Sequence, residues 1–119
     1  MIQLLILTMI LLQDQGKNKR VIALYTYNIN NVAYQQQIKL LEADEPGLTD
    51  RNIIIKSIIY NNHTESRFKA QNIKGGFTLI LIGKDGGEKF RSNKAVPLKQ
   101  LYGLIDAMPM RRAEMRRRG

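Results

Sequence analysis

The chain has no cysteine and a single histidine, His63. Without thiols there can be no disulfide framework, no thiol nucleophile, no CxxC redox centre and no thiolate zinc site. One histidine excludes a histidine-rich metal centre. Acidic residues are scarce, 10 against 19 lysines and arginines, which leaves a formal charge of +9. That excess is concentrated near one end. Residues 108–119 hold Arg111, Arg112, Arg116, Arg117 and Arg118 against Glu114 alone, a composition that attracts anionic partners of any kind. No apolar run is long enough to span a bilayer as a helix. The longest, Met1–Leu12, has the length of a signal-peptide core. It lacks a basic residue before it and an A-x-A-like site after it, and the alternative is a buried first element of the domain. The sequence divides into a leader and linker over 1–16, one domain over 17–107 and a basic tail over 108–119; 119 residues leave room for a single domain.

The most informative stretch runs from Gly75 to Arg112. Phe77–Ile82 is a short apolar run between glycines, the pattern of a strand buried on both faces. Lys84-Asp85-Gly86-Gly87 predicts a hairpin turn. Glu88–Arg91 returns as an edge strand protected by charge. Leu98, Leu101, Tyr102 and Ile105 form one helical face behind Pro97, and Pro109 is expected to stop that helix near Met108. Upstream, Arg20–Thr26 reads as the first strand. Asn30 or Asn31 is a candidate cap for a helix with Tyr34, Ile38 and Leu41 on its apolar face, ended by Glu45-Pro46-Gly47. Asn52–Tyr60 reads as a second strand, and Arg67–Asn72 as a short helix at best. The order β-α-β-α-β-β-α predicts an α/β, thioredoxin-like fold lacking the redox cysteines.

The segments FTLILIGKDGGEKFRS and LYGLIDAMPMRRAEMRRRG resemble the signature of the domain of unknown function 4174 family. Gly83-Lys84-Asp85-Gly86 and Ile105–Arg112 match most sharply, and Leu48-Thr49-Asp50-Arg51-Asn52 matches a weaker family pattern in which Arg-Asp is commoner than Arg-Asn. That family occurs in short bacterial proteins, often with a signal peptide, and in vertebrate extracellular proteins of the sushi-repeat-containing and coiled-coil-domain-containing types. The resemblance implies a thioredoxin-like, peroxiredoxin-related domain in a secreted or periplasmic setting, with no established activity. Active thioredoxin-like proteins place a cysteine in the loop after the first strand and a cis-proline before the third. Here those places hold Thr26–Asn31 and Phe77.

Candidate binding residues are Tyr27, Asn28, Asn30 and Asn31 at the first helix N-terminus, Lys84 and Asp85 at the hairpin, and Arg111, Arg112, Arg116, Arg117 and Arg118 in the tail. Each group has a simpler reading: a capped loop, a turn with solvated flanks, a solvated tail. Asp106 is expected to pair with Arg111 or Arg112, and one of Tyr25 and Tyr27 to lie in the core. No catalytic residue, metal or cofactor is expected. Nucleic acid is disfavoured as a partner because no recognised binding motif is present and no aromatics interleave with the arginines. The expected function is a secreted or envelope-associated, non-catalytic interaction module that meets an anionic surface, glycan or protein. The alternative is a peroxiredoxin-derived enzyme using a non-cysteine site.

Overall fold

A computed structural model describes residues 18–118; the leader expected over Met1–Leu12 lies outside them. Four strands form one sheet: β1 (Arg20–Thr26), β2 (Ile53–Ile59), β3 (Phe77–Ile82) and β4 (Glu88–Ser92). Their order across the sheet is β2-β1-β3-β4. β1 is parallel to β2 and antiparallel to β3, and β4 pairs antiparallel with β3. A parallel β1–β2 pair needs a crossover, and helix α1 (Val32–Glu42) supplies it, followed by the short α2 (Glu45–Asp50). α3 (Glu65–Ala70) joins β2 to β3, and α4 (Leu98–Asp106) and α5 (Pro109–Arg118) follow β4. This is the thioredoxin-like architecture that the pattern predicts.

Period-two alternation splits the core between the two faces of the sheet. Ile22 and Leu24 of β1 join Leu79 and Leu81 of β3 beneath α1, α2 and α4, where Tyr34, Leu41, Leu48, Leu101 and Ile105 complete the larger cluster. Val21, Ala23, Tyr25 and Ile80 face the other way onto Phe68 of α3 and Ile73. The central strands β1 and β3 are therefore covered on both sides, as their unbroken apolar runs require. In the β3–β4 turn Gly86 has φ of +85°, the left-handed geometry for which an Asp-Gly pair is suited.

Three local expectations change. Glu45-Pro46-Gly47 does not merely end α1. The Asp44 carboxylate accepts from the Gly47 N–H at 3.1 Å, and Pro46 sits in the first turn of a new helix, α2. The short helix before β3 begins at Glu65, earlier than Arg67. Beyond Met108 the chain does not run on as a tail, because Pro109 opens α5 as readily as it closes α4. Arg111 and Glu114 of that helix are buried, so 109–118 pack against the domain.

α1 carries a further buried polar side chain. Gln37 is fully buried; its Nε2 donates to the Val96 carbonyl at 3.0 Å, and its Oε1 accepts from the Val96 N–H at 2.7 Å. This closed pair of bonds ties α1 to the segment ahead of α4.

Candidate functional site

The sheet register sets two poles. Thr26 lies opposite Phe77 at one end of β1, and Val21 lies opposite Ile82 at the other. Five residue steps of strand place these ends about 17 Å apart.

At the Thr26 pole the loop is organised by its own polar side chains. The Thr26 hydroxyl is buried, donates to the Asn28 carbonyl at 2.7 Å and accepts from the Asn28 N–H at 3.3 Å. The Asn28 side chain accepts from the Asn30 N–H at 2.8 Å, and Asn31 caps α1 by accepting from the Tyr34 N–H at 3.0 Å. A hydroxyl and amides engaged in this way build a turn. The helix N-terminus that bears a thiolate in active thioredoxins is here capped by asparagine. Phe77 begins β3 beside it, and Gly76 backs so closely on Asn31 that a Cβ there would stand 2.7 Å from Asn31 Nδ2. Of the two tyrosines, Tyr25 is core and Tyr27 is exposed, stacked near Tyr60 and Phe68 with centroids 4.9 Å away in each case. The three rings flank an open hollow of about 400 Å³.

The other pole holds most of the buried charge. Arg20, the first residue of β1, is fully buried. Its Nη2 meets Glu114 Oε2 at 3.2 Å, and its Nη1 donates to the Arg51 carbonyl at 2.7 Å. Lys84 Nζ, from the β3–β4 turn, donates to the same Glu114 oxygen at 2.7 Å. Beside this cluster, Arg111 donates to Asp50 Oδ2 at 2.7 Å, the Asp50 carbonyl at 2.9 Å and Asp106 Oδ1 at 3.1 Å. Arg51 grips Asp106 with a two-pronged contact, at 3.1 and 3.0 Å, and its guanidinium lies 3.7 Å from the centre of the Tyr102 ring. Arg118 also pairs with Asp50.

The segments that carry the family resemblance meet here. Lys84 comes from Gly83–Gly86, Asp50 and Arg51 from Leu48–Asn52, and Asp106 and Arg111 from Ile105–Arg112. Their shared physical content is a charged clasp that holds α5 against the start of β1. Arg111 is engaged within the clasp, and the expected Asp106 pairing falls to it. Arg118 and Lys84 are likewise engaged, and Asp85 pairs with Lys89 at 2.8 Å. Arg112, Arg116 and Arg117 stay exposed and make no ion pair among the described residues. Arg20 and Glu114 were not expected as partners. Arg20 reads as an ordinary strand start, and the only hint was that Glu114 is the sole acid among the terminal arginines. His63 is exposed in the loop before α3.

Burial raises the Glu114 pKa, but the bonds from Lys84 and Arg20 outweigh it and hold the group at about 2 instead of its ordinary 4.5. Arg111 and Arg118 lower Asp50; for Asp106, burial opposes and the contacts of Arg51 and Arg111 prevail. Depressed folded-state values mean stability that is complete above the unfolded-state pKa and lost as pH falls through the folded one. Melting temperature should therefore fall between about pH 4.5 and 2. Amides of α5 should exchange first under these conditions, and Glu114→Gln should flatten the slope. A slope unchanged by Glu114→Gln would assign the acid sensitivity elsewhere.

The clasp roofs a cleft of about 450 Å³ between the β3–β4 turn and the joint of α4 with α5. Gly83, Lys84, Asp85 and Lys89 form one wall. Leu104 and residues 107–110 form the other, and Arg20 also contributes to the lining.

A sheet of order β2-β1-β3-β4 between helices defines a thioredoxin-like fold, and the chain has no cysteine to place in it. Among solved structures the chain is similar to thioredoxin peroxidase I of Plasmodium yoelii, with 14% identity, a TM-score of 0.64 and coverage of 86% of this chain and 79% of that one. It is also similar to Mycobacterium tuberculosis AhpC, with 11% identity, a TM-score of 0.61 and coverage of 79% and 71%. Identities this low show the fold alone. No curated protein matches the sequence. The profile described as "Domain of unknown function (DUF4174)" matches residues 11–114, and the chain belongs to that family. No described helix is long and apolar enough to cross a membrane.

Proposed function

We propose that this chain is a non-catalytic interaction module that works outside the cytoplasm and meets anionic surfaces through α5. The observation that supports the reading is the division of labour among the arginines of that helix. Arg111 and Arg118 turn inward to Asp50, while Arg112, Arg116 and Arg117 face solvent. Arg112 and Arg116 are four residues apart and so share a helical face. Guanidinium groups held on a clasped helix are pre-ordered for phosphate or carboxylate groups.

Binding of the full chain to vesicles containing an anionic phospholipid, measured by co-sedimentation across a salt series, tests this. Affinity should fall steeply with salt. Arg112→Gln, Arg116→Gln and Arg117→Gln together should weaken it about a hundredfold, at about 1 kcal/mol per arginine. Binding that ignores both salt and the triple change would remove the reading. Intact mass of the protein from its native host, fraction by fraction, tests the compartment. Loss of the apolar leader in an extracytoplasmic fraction is expected, and an uncleaved cytoplasmic chain would contradict it.

A further inference from the structure

The cleft at the Arg20 pole plays no part in the arginine surface just described, and its chemistry is different. We propose that it is a binding site for an amphiphilic monoanion, an aliphatic carboxylate whose head lies toward Arg20, Lys84 and Lys89 and whose chain lies along Leu104, Met108 and Met110.

Charge balance supplies the first argument. Three cations line the cleft, Arg20, Lys84 and Lys89, against the single lining carboxylate of Asp85; Glu114, behind the lining, is shared by Arg20, Lys84 and Arg111. The lining therefore carries an excess of positive charge. Each lysine ammonium has three donors, and each makes one side-chain bond here, to Glu114 and to Asp85. A hydrogen-bond deficit lies in one of the lining residues. Arg20 Nε is buried without a hydrogen-bond partner among the described residues, in a side chain only 1% exposed. A buried guanidinium short of an acceptor is costly, and this one lines the cleft.

The opposite wall is apolar and open. Leu104 is 37% and Met110 52% exposed, large side chains left in water at the edge of a concavity. The volume, about 450 Å³, lies in the range of small-molecule sites. Unbranched thioethers adapt their shape to an occupant, which suits a flexible alkyl chain. A fully polar anion such as phosphate would leave this wall wet, and a neutral alkane would leave the charge uncompensated. Only a ligand with both parts satisfies both walls.

The test is titration of the isotope-labelled full chain, followed by amide chemical shifts, with decanoate, decanol and decylammonium, each below the concentration at which it self-associates. Decanoate should saturate and shift the amides of Gly83, Lys84 and Leu104–Met110, with decanol at least about tenfold weaker and decylammonium weaker still. Met110→Asp changes an exposed position, so the fold should persist, which the melting curve checks. It should weaken decanoate about tenfold or more. The triple arginine variant of α5 should leave decanoate binding intact, which separates this site from the anionic-surface reading. Equal binding of decanoate and decanol would overturn the proposal. So would shifts centred on the Tyr27 hollow, no saturable binding at all, or a Met110→Asp variant with unaltered affinity.

Discussion

Glu114→Ala is expected to lose about 3–5 kcal/mol of stability, the usual consequence of removing one partner from a buried ion pair. What the change leaves behind sets the size of the loss. Lys84 is near the surface and can swing into water. Arg20 cannot, because it is fully buried at the start of the central strand and keeps only the Arg51 carbonyl as a side-chain partner. An uncompensated guanidinium there is a large fraction of the whole stability of a domain, which is about 5–15 kcal/mol. Urea denaturation of the two proteins measures the difference. A companion variant isolates the cause. Arg20→Met combined with Glu114→Leu removes both charges and keeps similar volume, and buried pairs replaced in this way are often neutral or even stabilised. The double variant should thus recover most of the loss. A double variant as unstable as Glu114→Ala alone would mean that packing of α5, rather than charge, holds the helix down.

The second large effect is expected at Gln37. Gln37→Ala removes the side chain that bonds both backbone groups of Val96, itself 3% exposed. An unsatisfied buried backbone group costs about 1–3 kcal/mol. Two of them, with a small cavity, place the loss at roughly 2–5 kcal/mol. Gln37→Glu should be no better. It loses the donor to the Val96 carbonyl and brings a negative charge against that oxygen. Gln36→Ala, one residue away on the exposed side, should change stability by less than about 0.5 kcal/mol. Thermal melts of the three variants give the comparison, and similar losses at 36 and 37 would refute the pairing.

These two residues also mark where sequence reasoning succeeds and where it stops. The strands were legible because both faces of β1 and β3 are covered, which demands uninterrupted apolar letters. The hairpin was legible because a left-handed turn position selects glycine. Gln37 was half legible. It stands three residues after Tyr34 and four before Leu41, on the core-facing stripe of α1, but nothing local distinguishes it from Gln35 and Gln36. Its partner Val96 is 59 residues away. The clasp was less legible still. Arg20 and Glu114 are separated by 94 positions, and Arg111 and Asp50 by 61. Residue type reveals charge, but tertiary placement decides whether that charge is buried. Proline was ambiguous for a related reason. It disfavours helix before itself and favours it after, so Pro109 both closes α4 and opens α5. The candidate residues of the Thr26 loop were placed correctly at the N-terminus of α1, whereas the terminal arginines, read as one group, separate into clasp and surface.

The clasp also imposes an order in time. Arg20 is among the first residues of the domain to be synthesised, and the carboxylate that neutralises it is added only 94 residues later. Until Glu114 has been made, burying the first residue of β1 means burying a lone positive charge, so the leading end of the central strand stays in water. The sheet cannot seal from its beginning as the chain grows. It closes at the Arg20 pole only once α5 has brought Glu114 into place, so the two ends of the domain complete one another.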